Sequence, residues 1–192
     1  APLSDEDFEH FASYVFQTMS HYKGRFPFWS VWNEPNIPDF WKPAPKVEDY
    51  ARLLQKTREA ARRADPEALL CAPVIAPLGS WDKKFTVSLY QMGAADWFDI
   101  FDYHYYRSYA PEAEVPAELA DIRAVMCRFG DGKKPVWISE TGVAGPVADQ
   151  PESYLKQAAF VVRNHLLCLA CGVERIFYFD LQNWNEIGRA HV

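Results

Sequence analysis

The run Val136-Trp137-Ile138-Ser139-Glu140-Thr141-Gly142 is apolar until it meets a carboxylate, and an earlier aromatic run over 26–32 meets one in the same way, passing into Asn33-Glu34-Pro35-Asn36. Both runs have the length and the β-branched or aromatic content of strands. In both the acid stands where strand gives way to loop, and Pro35 fixes the turn after Glu34. Period-two alternation predicts that Val136, Ile138 and Glu140 share one face, and that Trp32 and Glu34 share one face of their own strand. A single glutamate after a strand often only caps the next helix. Two in the same setting form a pair.

Outward from these two runs, strand patterns recur at 69–75, 97–103 and 175–181, with helical spacing between them. Ser4 heads a helix with an acidic first turn, Asp5-Glu6-Asp7, in which Phe8, Phe11, Val15, Met19 and Tyr22 recur before Gly24 stops it. Val47, Tyr50, Leu53, Leu54, Thr57 and Ala61 mark a second helix, and Phe85, Leu89 and Met92 a third. Pro116 is expected to open a fourth, carrying Leu119, Ile122, Met126 and Phe129, and 151–170 forms a fifth. Strands alternating with helices predict a parallel sheet of β/α units. The polar residues then separate a barrel from an open sheet. Asn33-Glu34, His104 to Tyr106, Glu140-Thr141 and Gln182-Asn183-Trp184 all stand at strand ends, which converge on one site only in a barrel. Residues 1–186 are therefore read as one α/β domain, a parallel, partial (β/α)8 barrel.

Composition narrows the function. The chain has 192 residues and a formal net charge of −6, with basic residues only in short pairs such as Arg62-Arg63, so the footprint of a nucleic-acid binder is absent. No apolar stretch approaches membrane-spanning length. Four cysteines are too few for a disulfide scaffold, and Cys168 and Cys171 fall in an apolar helical pattern that reads as buried thiols. Neither His-x-His nor His-Glu-x-x-His occurs among the five histidines, which argues against a metal hydrolase built on His104 and Asp102. The reading calls for no cofactor or metal.

Two carboxyl groups at the mouths of two barrel strands suit glycosidic bond cleavage, in which one group donates a proton to the leaving oxygen and the other attacks the anomeric carbon. Here the sequence resembles clan A of the glycoside hydrolases, families 5 and 39 in particular. That resemblance implies an eight-stranded barrel in which Asn33-Glu34 closes the fourth strand and Glu140 the seventh. It makes Glu34 the acid/base and Glu140 the nucleophile of a retaining enzyme, and Asn33 a partner of the sugar 2-hydroxyl. His104 and Tyr106 match the His-x-Tyr of the sixth strand, whose hydroxyl touches the nucleophile and whose imidazole lines the subsite. Trp184 matches a sugar-stacking platform, and Trp41 with Phe40 is placed to wall an outer subsite. The implied partner is a poly- or oligosaccharide. A non-catalytic carbohydrate-binding relative is the alternative.

On this resemblance the chain holds strands four to eight, a C-terminal part of the barrel. Two unpaired strand edges and an uncovered inner face are then expected, and with them low stability. Residues 187–192 follow neither a helical nor a strand pattern and match a translated frame of a common sequencing adapter. They are expected to lie outside the domain.

Overall fold

The computed structural model describes residues 4–106, 109–143 and 151–179. Five strands lie in sequence order, all parallel: β1 (Phe28–Ser30), β2 (Leu69–Ile75), β3 (Ile100–Tyr106), β4 (Val136–Gly142) and β5 (Val173–Tyr178). The sheet curls into a part-barrel covered by α1 (Asp5–His21), α2 (Val47–Ala64), α3 (Lys83–Gln91), α4 (Pro111–Arg128) and α5 (Pro151–Ala170). This is the partial (β/α)8 barrel that the alternation of elements predicts.

Local chemistry sets several of the boundaries. The Ser4 hydroxyl accepts the amide of Asp7 while the Asp7 carboxylate accepts the amide of Ser4, a capping box that starts α1. The α1 face carrying Phe8, Val15 and Met19 is buried, and the α1–α2 contact is rimmed by Asp5–Arg52 and Glu9–Lys56 ion pairs. Gly24 supplies the left-handed turn after α1, at φ 72°. The fourth helix begins at Pro111 rather than at Pro116. Pro111 occupies the first turn, where its missing N–H costs nothing, and Pro116 sits inside the helix at the cost of one backbone bond.

Strand ends differ from the expected ranges for physical reasons. Regular pairing of β1 spans only 28–30, because the backbone turns left-handed at Trp32 (φ 68°) and Glu34 (φ 45°). β3 begins at Ile100, three residues after the expected start, since a 3₁₀ turn over Ala94–Asp96 carries Trp97 past the sheet. Asp99, just before β3, accepts the amide of Leu70 at 2.8 Å and the Arg58 guanidinium at 2.7 Å, tying β2, β3 and α2 at one corner. Cys168 is buried as expected. Cys171 is exposed instead, because α5 has ended at Ala170 and the chain is already turning at Gly172 (φ 86°).

The sheet has two unlike faces. Leu70, Ala72, Ile75, Phe101, Tyr103, Tyr105, Val136 and Ile138 pack outward against the helices in the main core. The concave face carries a second, smaller cluster of Cys71, Ile100 and Trp137, with Phe28 beside it and the Arg175 guanidinium 4.6 Å from the Phe28 and Trp137 ring centres. Above that layer stand Asp102, His104 and Tyr106 of β3. The concave floor is thus apolar and cationic, and its upper rim carries the acids.

Candidate active site

Glu34 reaches the rim from a strained loop. Its own φ of 45° and that of Val74 (50°) both lie in the left-handed region, where a β-branched residue is a rare occupant. The two strained positions are joined directly, the Glu34 amide donating to the Val74 carbonyl at 2.9 Å. Asn36 completes the clamp. Its side-chain oxygen accepts the Ala76 amide at 2.7 Å, and its nitrogen donates to the Ala76 carbonyl at 3.0 Å. From below, Tyr50 is fully buried and its hydroxyl bridges the carbonyls of Val31 and Pro73 at 3.0 and 3.2 Å. Turn, clamp and bridge together fix the glutamate after β1 against the end of β2.

Glu140 arrives by a different device. Tyr103 pairs with Ile138 but His104 pairs with Glu140, so β4 spends two residues where β3 spends one. Ser139 is the extra residue of a β-bulge. Val136 and Ile138 therefore face the helices while Glu140 faces the concave side, contrary to the single face that strict alternation predicts for all three. Beyond the bulge Thr141 points outward again, its hydroxyl accepting from the Asn164 amide of α5 at 3.0 Å.

The result is a compact cluster. His104 Nδ1 lies 2.8 Å from Glu34 Oε1 and 3.6 Å from Glu140 Oε2. The Tyr106 hydroxyl donates to Glu140 Oε2 at 2.8 Å. One donor atom from each of Glu34, His104 and Glu140 falls within 4.8 Å of the others. Glu34 is 4% exposed and His104 1%, whereas the Glu140 side chain retains 26%. Two carboxylates and an imidazole at this spacing are also a donor set able to hold a divalent cation.

The other expected site residues are distributed more widely. Asn33 is half-buried next to Glu34. Trp41 is buried, its ring edge-on to Trp32 at 5.5 Å and to Tyr50 at 6.0 Å. With Phe8, Phe11, Trp32, Phe40 and Leu53 it lines a half-open cavity of about 150 Å³ whose walls include neither acid of the cluster. Trp184 lies outside the described residues, as do Gln182, Asn183 and the 187–192 tail. Asn36, Tyr50 and Ser139 carry the site's geometry without standing out as chemistry in the sequence.

Beneath the cluster, Asp102 is fully buried on β3. Burial pushes its carboxyl up to about 6, partly offset by Ser139, whose amide donates to Oδ1 at 3.1 Å. A carboxyl that is easier to protonate in the fold than in the unfolded chain favours folding most below about pH 4, and that contribution is lost as pH rises through about 6. Asp102→Asn removes the ionisation while keeping a side-chain oxygen. The variant is expected to gain stability relative to the parent on going from pH 4 to pH 7, by on the order of 2–3 kcal/mol. Thermal melts across that range read the difference, and parallel curves for the two proteins would contradict it.

No family model matches the sequence. A β-xylosidase of Geobacillus stearothermophilus is 29% identical over 182 residues, covering 82% of this chain and 36% of that protein. Among solved structures, a glucosidase from Croceicoccus marinus superposes with a TM-score of 0.72 at 16% identity, over 90% of this chain and 38% of the other. A family 39 β-xylosidase from Caulobacter crescentus superposes with a TM-score of 0.66 at 19% identity, over the same shares. The chain thus spans little more than a third of the length of these proteins. Its five parallel strands and their covering helices are a portion of the clan A glycoside hydrolase fold.

Proposed function

We propose that this chain carries the catalytic pair of a retaining glycoside hydrolase, with Glu34 as acid/base and Glu140 as nucleophile. The observation that supports it most is that one oxygen of Glu34 and one of Glu140 lie within 4.8 Å of each other on the concave rim. Double displacement needs carboxyl groups about 5–5.5 Å apart, whereas inversion needs roughly 6.5–9.5 Å to admit a water. The β-xylosidase and glucosidase relatives are consistent with a carbohydrate substrate.

In this reading the Glu140 carboxylate attacks the anomeric carbon as the bond to the leaving oxygen breaks, and Glu34 delivers its proton to that oxygen. Water then enters, Glu34 takes its proton, and the hydroxide displaces Glu140 from the sugar. The Tyr106 hydroxyl fixes Glu140 Oε2 and leaves the second oxygen for attack. His104 Nδ1, 2.8 Å from Glu34 Oε1, donates to that oxygen in both steps and leaves Oε2 to give its proton to the leaving oxygen and later to take one from water. Asn33 is placed to meet the sugar 2-hydroxyl. Trp32 and Phe40, each about 40% exposed and backed by Trp41, form the apolar wall of an outer subsite.

Proton NMR of the first-formed product tests this directly. A β-aryl glycoside is expected to give the β-hemiacetal before mutarotation, and an initial α-anomer would exclude double displacement. The cluster's donor set also favours a second reading, metal-assisted hydrolysis. Turnover unchanged by EDTA is the expected outcome, and a chelator-sensitive rate restored by a divalent ion would support that second reading instead.

A further inference from the structure

We propose that Asp102 is a positioning residue that accepts the Ser139 amide and thereby holds the β4 bulge that turns Glu140 toward Glu34. The proposal extends the catalytic reading above and rests on it for its kinetic consequence.

Three observations carry it. First, the direction of Glu140 depends on the bulge: were Ser139 to pair as an ordinary strand residue, position 140 would share the helix-facing side of Val136 and Ile138. A shift of one residue would swing the carboxylate away from the Tyr106 hydroxyl and from His104. Second, a bulge takes its extra residue out of the strand ladder, and a buried amide without an acceptor is costly. Here the Ser139 amide finds Asp102 Oδ1 at 3.1 Å, across the β3–β4 gap. Third, an acid is an expensive choice for that position. Asp102 is 0% exposed and lies between Ile100 and His104 on the concave face. An apolar side chain would fill the same space without the desolvation cost, but it would leave the bulge unanchored.

Asp102→Leu and Asp102→Asn separate an acceptor from a mere space-filler. Leucine keeps bulk and suits a buried site, whereas asparagine keeps the acceptor oxygen and loses only the charge. Two readouts apply to the full chain: hydrogen exchange of the Ser139 amide, and kcat and KM on the p-nitrophenyl glycoside that the parent turns over fastest. In Asp102→Leu the Ser139 amide is expected to exchange at least ~10-fold faster. The kcat is expected to fall about 100-fold with KM within about 3-fold, because a displaced nucleophile impairs chemistry rather than binding. Asp102→Asn is expected to keep Ser139 protected and kcat within about 5-fold of the parent.

Equal losses in the two variants, or an unchanged Ser139 exchange rate in the leucine variant, would overturn the proposal. If Asp102→Leu does not fold, Asp102→Asn decides alone: unprotected Ser139 or a 100-fold loss of kcat refutes it, and retention of both supports it. The exchange measurement needs no turnover. Should Glu140→Gln prove fully active, the catalytic reading fails while the anchoring of Ser139 is still judged by its amide.

Discussion

Glu140→Gly is expected to lower turnover of an activated aryl glycoside by at least ~10⁴-fold, and added azide to restore much of it. The vacated space admits the small anion to the face from which the carboxylate attacked. Direct attack there yields a glycosyl azide of inverted configuration. Glu34→Ala is expected to behave differently. A nitrophenolate needs no protonation to leave, so formation of the glycosyl-enzyme slows little, while its hydrolysis, which needs the base, slows about 10²–10³-fold. Azide then intercepts the intermediate and gives a product of retained configuration. The stereochemistry of the two azide products therefore assigns the two acids independently of rate. Similar rates and identical products from both variants would remove the assigned roles.

The second large effect concerns the frame rather than the chemistry. Asp99 accepts the Arg58 guanidinium at 2.7 Å and the Leu70 amide at 2.8 Å, at the corner where α2 meets the starts of β2 and β3. The Arg58 side chain retains only 8% exposure, so removing its partner strands a buried cation. Asp99→Ala is expected to cost about 3 kcal/mol, somewhat below the full penalty because the Asp99 side chain is a third exposed. The exposed Arg163–Glu112 pair between α5 and α4 is the internal comparison. Glu112→Ala is expected to cost far less than Asp99→Ala, because solvent screens the exposed pair. Urea unfolding of both variants measures the contrast, and equal losses would show that burial is not what gives the Asp99 pair its weight.

Much of this architecture is legible in the sequence because its signals are local and repeated. The helix of Phe8, Val15 and Met19 announces itself by spacing and by Ser4, and both devices stand in the structure. The barrel follows from where the polar residues stand: Glu34, His104, Tyr106 and Glu140 come from the ends of three strands and meet within hydrogen-bonding reach. What stays hidden is whatever depends on a neighbouring strand. The bulge at Ser139 exists only in the register between β3 and β4, and no pattern within 136–142 foretells it. Alternation puts Glu140 with Val136 and Ile138, and the pairing puts it opposite them. The left-handed turns at Trp32 and Glu34 are equally invisible, since neither residue type favours them. Equally hidden is the contact beside them, in which Asn36 grips Ala76, forty residues on. Asn36 stands in the motif, yet only the fold shows that its side chain clamps backbone.

One oxygen of each carboxylate lies within 4.8 Å of the other, and a covalent trap is the shortest route to the proposed roles. A 2-deoxy-2-fluoro glycoside with a good leaving group slows both steps at the anomeric carbon, but its first step still proceeds, so the glycosyl-enzyme accumulates. Mass spectrometry of the digested protein is expected to find the fluorosugar esterified to Glu140 alone. A label on Glu34 or on any other residue, from protein that hydrolyses the parent glycoside, would contradict the account.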